Sequence, residues 1–243
     1  MRIGRAARLV AFVLAAAALC GGTGGTFAFG ADSWSQRRQT MVNQQIRQRG
    51  ITQPGVLSAM GQVPRHMFVP PSEQERAYDD KPLPVEAGRT IYQPYVVALM
   101  TSLLELDGTK RVLEVGTGSG YHAAVLSRIA REVYSIEISE PVANQAEKRL
   151  STLGYVNVHV RTGDGYQGWP EKAPFDAILV SAALPRIPKL LLEQLRVGGK
   201  MVVAEGGYIQ DLVVITKTAE GLEKRTVIPV RLLPMTGRIR DGS

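Results

Sequence analysis

The stretch RVLEVGTGSGYHAAVL, residues 111–126, decides how the rest of this chain is read. It begins as a short apolar strand, passes three glycines at alternate positions (Gly116, Gly118, Gly120) and leaves with helix-forming residues. Glycine permits φ > 0 and a close backbone approach, and a helix starting there offers unpaired N–H groups. Such a unit is either a structural turn or a cradle for a ligand, and its spacing alone does not separate the two.

Outward from this unit, strand candidates at 111–115, 133–138, 156–161, 175–180 and 200–204 alternate with helix-length segments. Alternation of this kind predicts parallel strands joined by right-handed crossovers, a doubly wound α/β sheet. After Gly207 the spacing shortens, and 211–218 and 226–233 read as strands joined at Glu220 and Gly221, a terminal hairpin that brings antiparallel pairing into the sheet. Upstream, 34–48 carries Met41, Val42 and Ile46 at helical spacing, with Gly50 as a stop. A second helix, with Thr52 as its cap, turns Val56, Leu57 and Met60 inward. Residues 63–90 hold Pro64, Pro70, Pro71, Pro82 and Pro84 and read as ordered loop, and a third helix starts at Gln93 with Pro94 in its first turn.

In a doubly wound sheet ligands bind beyond the carboxyl ends of the strands, where the strand order reverses. Three strand ends bear on that place. At the first, a dinucleotide fingerprint would need G-x-G-x-x-G, whereas Tyr121 follows Gly120 here, which disfavours a nicotinamide cofactor. At the second, VYSIEI brings Glu137 to a position where a carboxylate accepts from both hydroxyls of a ribose; the alternative is a solvated strand-end charge. At the third, TGDGY offers Asp164 as an acceptor for an adenine amine and Gly165 as space for the base, or else a simple Asp-Gly turn. Together they describe an adenosine carrying something other than a pyrophosphate.

This pattern resembles class I S-adenosylmethionine-dependent methyltransferases. The motifs QRGI, VPRHMFVP, AYDDKPLPVEAGRTIYQPYVVALM, VLEVGTGSGYHAAVL, DGYQGWPEKAPFDAILVSAA and IPKLLLEQLRVGGKMVV, in that order, are similar to the protein-L-isoaspartate O-methyltransferase family from about residue 45 to 236. The resemblance implies a seven-stranded, mostly parallel Rossmann-like sheet with an N-terminal helical extension, in which 31–109 is the helical and loop part and 110–243 the cofactor-binding sheet of one domain. It implies S-adenosyl-L-methionine as cofactor and methyl transfer to the free carboxylate of isoaspartyl residues in damaged proteins, followed by cyclisation to a succinimide. It further implies a cofactor site of Thr90, Ile91, Gln93, Glu114, Gly116 and Thr117 with Gly118, Gly120, Glu137 and Ile138, completed by Asp164, Gly165 and Thr236. Glu114 then lies near the sulfonium or the methionine ammonium, or is a buried strand-end carboxylate bonded to backbone N–H groups. Two departures stand in the segment GRTIYQPY: Tyr92 takes the place of the family's serine, and Arg89 that of a commoner glutamine. Tyr92 is the residue placed against the acceptor. A third departure is AEGG at 204–207, which lacks the proline common after that strand. The same fold with another acceptor, and an exported binding module without catalysis, are the competing readings.

An ionised carboxylate needs no general base, which fits the lack of a triad or ligand-spaced metal cluster. His66, His122 and His159 lie far apart in sequence, each with a solvated surface as its default setting, and no metal is expected. At the start of the chain, Arg2, Arg5 and Arg8 precede an uncharged apolar run at 9–19, with Ala28, Phe29 and Gly30 as a small-residue cleavage site before Ala31. This is the layout of a secretory signal over 1–30, its apolar run too short to span a bilayer comfortably, with an uncleaved anchor as the alternative; it predicts an exported, periplasmic protein, or a cytoplasmic one if the signal is unused. Cleavage removes Cys20, the only cysteine, and lowers 29 basic residues to 26 against 22 acidic, so that +7 becomes +4. Scattered charge of that size indicates no nucleic-acid partner. The expectation is a monomer acting on isoaspartyl proteins, without stable membrane association.

Overall fold

The computed structural model describes residues 29–238; the basic and apolar start read as an export signal lies outside the described residues. Among them, no helix is long and apolar enough to cross a membrane. Seven strands form the central sheet in the order β5-β4-β3-β6-β7-β8-β9, and a two-stranded ribbon of β1 (Leu83–Pro84) and β2 (Thr90–Ile91) stands apart from it. The strands are β3 (Arg111–Val115), β4 (Glu132–Glu137), β5 (Val158–Thr162), β6 (Phe175–Leu184), β7 (Leu195–Gly206), β8 (Gln210–Lys217) and β9 (Leu222–Val230). Pairing is parallel from β5 through β7 and antiparallel for β7 with β8 and for β8 with β9. The order reverses between β3 and β6, so the crevice expected of such a sheet opens beyond the carboxyl ends of these two strands.

Both faces of the parallel part are covered, which is why β3 and β6 are mostly apolar. Leu113, Val115, Ile178, Val180 and Val203 pack to one side, with Leu191 of α6 (Lys189–Gln194). Val112, Ala177, Leu179 and Val202 face the other side, where α2 (Pro54–Gln62), α3 (Pro94–Leu103) and α4 (Tyr121–Ser127) lie. Each large aliphatic side chain buried in this way contributes roughly 1.5–3 kcal/mol. Helix α5 (Glu140–Thr152) covers β4 and β5 with Val142, Ala146 and Leu150. The outer strand β9 is exposed along most of its length and carries Glu223, Lys224, Arg225 and Pro229, charges and a proline that discourage edge-to-edge pairing.

Three expectations are corrected here. Helix α2 starts at Pro54 with Gln53 at its cap position and no side-chain cap bond, so Thr52 does not cap it. The first helix is not continuous over 34–48: α1 (Phe29–Thr40) widens into a π-helical turn at Met41–Ile46 and tightens again before Gly50, whose φ of 93° ends it. Strand β5 begins at Val158 rather than 156, because Asn157 turns its amide onto the carbonyls of Ser127, Ala130 and Arg131, leaving Val156 90% exposed.

Candidate active site

The quoted stretch folds as strand β3, a glycine loop and helix α4. Gly116, Gly118 and Gly120 have φ of 98°, 53° and 85°, the left-handed region where a side chain is disfavoured. Two loop amides bond to the end of β4: Gly116 N donates to Ile136 O at 2.8 Å and Thr117 N to the same oxygen at 3.3 Å. The side chain of Glu137 completes this attachment. It is 1% exposed, its Oε2 accepts from Gly118 N at 3.0 Å, and its Oε1 accepts from Ser139 N at 3.1 Å and from Arg89 Nη2 at 2.5 Å.

A pocket opens over this loop. Its floor is the ends of β3, β4 and β6, with Val115, Gly116, Ile136 and Ser181 among its lining. One wall is the segment from Arg89 to Tyr92; another is the chain after β9, Leu233 to Thr236. That last segment lies against β6: Ala183 N donates to Leu233 O at 2.8 Å and Met235 N to Ala183 O at 2.9 Å. The Tyr92 hydroxyl donates to Ser181 O at 2.9 Å. Burial pushes its pKa up to about 12, against smaller opposing effects from the Leu233 backbone and Arg89, so it stays protonated. Behind it, the fully buried Arg65 donates from Nη2 to Tyr92 O and from Nε to Ala77 O, both at 2.7 Å, with its guanidinium 4.9 Å from the centre of the Tyr121 ring.

Comparison with known proteins gives this pocket its context. A family model of protein-L-isoaspartate(D-aspartate) O-methyltransferases matches residues 36–240. The chain belongs to that family. It is 52% identical over 213 residues to a protein-L-isoaspartate O-methyltransferase of Synechococcus sp. strain JA-2-3B'a(2-13), covering 84% of this chain and 87% of the relative. A protein-L-isoaspartate O-methyltransferase 2 of Shewanella sediminis is 48% identical over 215 residues, 88% of each chain. Among solved structures, one named protein-L-isoaspartate O-methyltransferase superposes with a TM-score of 0.75 at 28% identity, covering 84% of this chain and 67% of that one. A Plasmodium falciparum beta-aspartate methyltransferase crystallised with S-adenosyl-L-homocysteine shares the fold, with a TM-score of 0.70 at 24% identity over 82% of this chain and 98% of that one.

Of the residues that the family resemblance singles out, Thr90, Ile91, Tyr92, Gly116, Thr117 and Gly118 line the pocket. Glu137, Ile138, Gly165 and Thr236 line it too. Four do not. Gln93 turns away and donates to Asp80 Oδ1 at 2.8 Å and to Asp80 O at 3.1 Å. Gly120 packs against helix α5, where an added Cβ would come within 3.2 Å of Leu150. Asp164 accepts from Tyr166 N at Oδ1 and from Arg238 N at Oδ2, at 3.0 Å each, and so fastens the last described residues to the end of β5. Glu114 lies fully buried beneath the loop and accepts at Oε2 from Ser135 Oγ at 2.5 Å, while Ser135 Oγ stands 2.6 Å from Thr117 Oγ1. Its partner is thus a side chain rather than backbone N–H groups. Burial pushes the Glu114 carboxyl up to about 8; the Ser135 bond opposes this and the charge of Glu137 adds to it.

Sequence reasoning missed several lining residues. His122 is the clearest, since a surface setting was expected and it is only 7% exposed in the pocket wall. Its position one residue past Tyr121, inside the quoted stretch, was the available signal. Ser181 directly follows Val180, the last β6 residue paired with β3, and so stands at the switch point while β6 runs on to Leu184. Leu233, Pro234 and Met235 had no local signal, because only the long-range bridge to Ala183 brings them there. Among the described residues, no group of three His, Cys, Asp or Glu side chains could hold a metal ion.

Proposed function

We propose that this chain transfers a methyl group from S-adenosyl-L-methionine to the free carboxylate of L-isoaspartyl residues in damaged proteins, the step that leads to a succinimide and so to repair. The observation that carries the reading is the buried carboxylate of Glu137 beside the glycine loop, at the switch point of a sheet belonging to this family. The pocket residues fit the cofactor. Glu137 is an acceptor suited to ribose hydroxyls, and at Gly118 nothing lies within 4 Å of where a Cβ would stand. Ile138, Gly165 and Met235 offer an apolar setting for the base. Two buried polar atoms in the lining residues, Ser181 Oγ and His122 Nδ1, have no partner and suit a ligand with polar groups at that end.

When bound, S-adenosylmethionine supplies an electrophilic methyl group on a sulfonium. The acceptor carboxylate is ionised at neutral pH, so the protein's contribution is alignment and exclusion of water rather than proton removal. The Arg89–Tyr92 segment and the Leu233–Thr236 segment do this by walling the pocket. Arg65 holds the first by the Tyr92 carbonyl, and the Ala183 bonds hold the second. Export to the periplasm rests on Arg2, Arg5, Arg8 and the apolar run at 9–19. Methylation of paired isoaspartyl and aspartyl peptides by the chain from Ala31 tests the activity; transfer to the isoaspartyl member alone is expected, and transfer to neither refutes it. Cell fractionation with N-terminal sequencing tests the export.

A further inference from the structure

We infer that His122 recognises the α-ammonium at the amino-acid end of the cofactor, accepting a hydrogen bond from it at Nδ1. This rests on the reading of the pocket as an S-adenosylmethionine site. The argument starts at Thr101, whose Oγ1 lies 2.8 Å from Val97 O and 2.9 Å from His122 Nε2. A carbonyl only accepts, and a threonine has one proton to give, so that proton goes to Val97 O and Oγ1 must accept from Nε2–H. The ring is therefore locked as the Nε2–H tautomer, with a lone pair on Nδ1. Burial pushes the His122 pKa down to about 3, which keeps the ring neutral.

Nδ1 itself is buried and has no hydrogen-bond partner among the described residues, on a ring that lines the pocket. A buried acceptor left this way is costly unless a ligand or water completes it. The lone pair admits only a donor. Of the groups at the amino-acid end of the cofactor, the carboxylate only accepts and the sulfonium does neither, whereas the ammonium only donates. The ribose hydroxyls already have an acceptor in Glu137, and the base has the Gly165 end of the pocket. Thr101, on α3, is thus a positioning residue that sets the tautomer from outside the pocket.

Calorimetry with S-adenosylhomocysteine, which keeps the ammonium, and with 5′-methylthioadenosine, which lacks the amino-acid end, tests the inference without turnover. His122→Leu is expected to weaken S-adenosylhomocysteine roughly ten- to a hundredfold, the range for a bond to a charged group, and to leave methylthioadenosine unchanged. His122→Gln, which keeps an acceptor oxygen, recovers part of the loss. In the unmutated protein, the ¹⁵N resonance of His122 Nδ1 is expected to be that of an unprotonated nitrogen and to shift on binding S-adenosylhomocysteine only. Equal loss of both ligands in a folded variant, unchanged affinity, or a silent Nδ1 resonance would each overturn it. If the unmutated chain binds methylthioadenosine but not S-adenosylhomocysteine, the inference fails alone; if it binds neither, the cofactor reading fails first.

Discussion

Tyr92, expected against the acceptor, has a partner for its hydroxyl within the chain. It donates to the carbonyl of Ser181 and so ties the Arg89–Tyr92 wall to the end of β6, while its ring packs on the core beneath. A donor committed to a backbone carbonyl is not free to orient a substrate carboxylate. Tyr92→Phe is therefore expected to cost about 0.5–1.5 kcal/mol of stability, the usual worth of one buried bond, and to keep most of the methyl-transfer rate on an isoaspartyl peptide. Tyr92→Ser removes the ring as well and is expected to cost roughly 2–4 kcal/mol, somewhat under the range for truncating a fully buried aromatic. Denaturant unfolding and kcat/KM measured side by side check both. A Phe variant as slow as the Ser variant would mean that the hydroxyl acts on the substrate after all. Arg89 is a second case in which the partner gives the residue its meaning: it neutralises Glu137 in this structure, a pairing that neither residue's sequence position announced.

At the scale of elements, β3 and β4 share a polar seam beneath the loop, Glu114 to Ser135 to Thr117, inside an otherwise apolar sheet. With its carboxyl held near 8, above the ordinary 4.5, Glu114 keeps its proton in the folded chain at pH values where the unfolded chain has lost it. Its contribution to stability is then fully present below pH 4.5 and is lost as the pH rises through 8. Glu114→Gln does not titrate, so its stability relative to the unmutated chain is expected to climb across that window, by a few kcal/mol at most. Urea midpoints from pH 5 to pH 8.5 measure this, and parallel curves for the two proteins would contradict it. The strands themselves were legible because burial on both faces makes them mostly apolar: β3 matches the expected 111–115, and each of the other expected strands overlaps a strand of the sheet. Less legible were positions where a side chain serves the backbone. Asp164, read as a ligand contact or an Asp-Gly turn, makes the turn bond to Tyr166 N and a further one to Arg238 N; Asn157 looked like strand and instead caps three carbonyls. The bond to Arg238 N spans 74 residues and the Asn157 bonds span 26 to 30, separations that local pattern cannot weigh.

For the whole molecule, the pocket is an assembly of distant segments. Residues 89–92 form one side, the ends of β3, β4 and β6 the floor, and residues 233–236 the remaining wall. The last of these is fixed by few contacts: the two Ala183 bonds, the buried side chain of Met235, and the bond from Arg238 N to Asp164. Leu232, one residue earlier, is fixed separately by Gln210, whose Oε1 accepts from Leu232 N at 2.7 Å. A chain ending at Leu232 should therefore keep the sheet and lose the wall. Its stability is expected to fall by roughly 1.5–3 kcal/mol for Met235, with the circular dichroism of the folded sheet retained. Ligand binding is the sharper readout. For the full chain, S-adenosylhomocysteine at a hundred times its Kd adds about 2.7 kcal/mol, which for a domain of this size raises Tm by roughly 5–10 °C. The shortened chain should show almost none of that rise at the same ligand concentration. If it keeps the full rise, the strand ends and the Arg89–Tyr92 segment hold the ligand by themselves, and the segment after β9 is only a cover on the sheet.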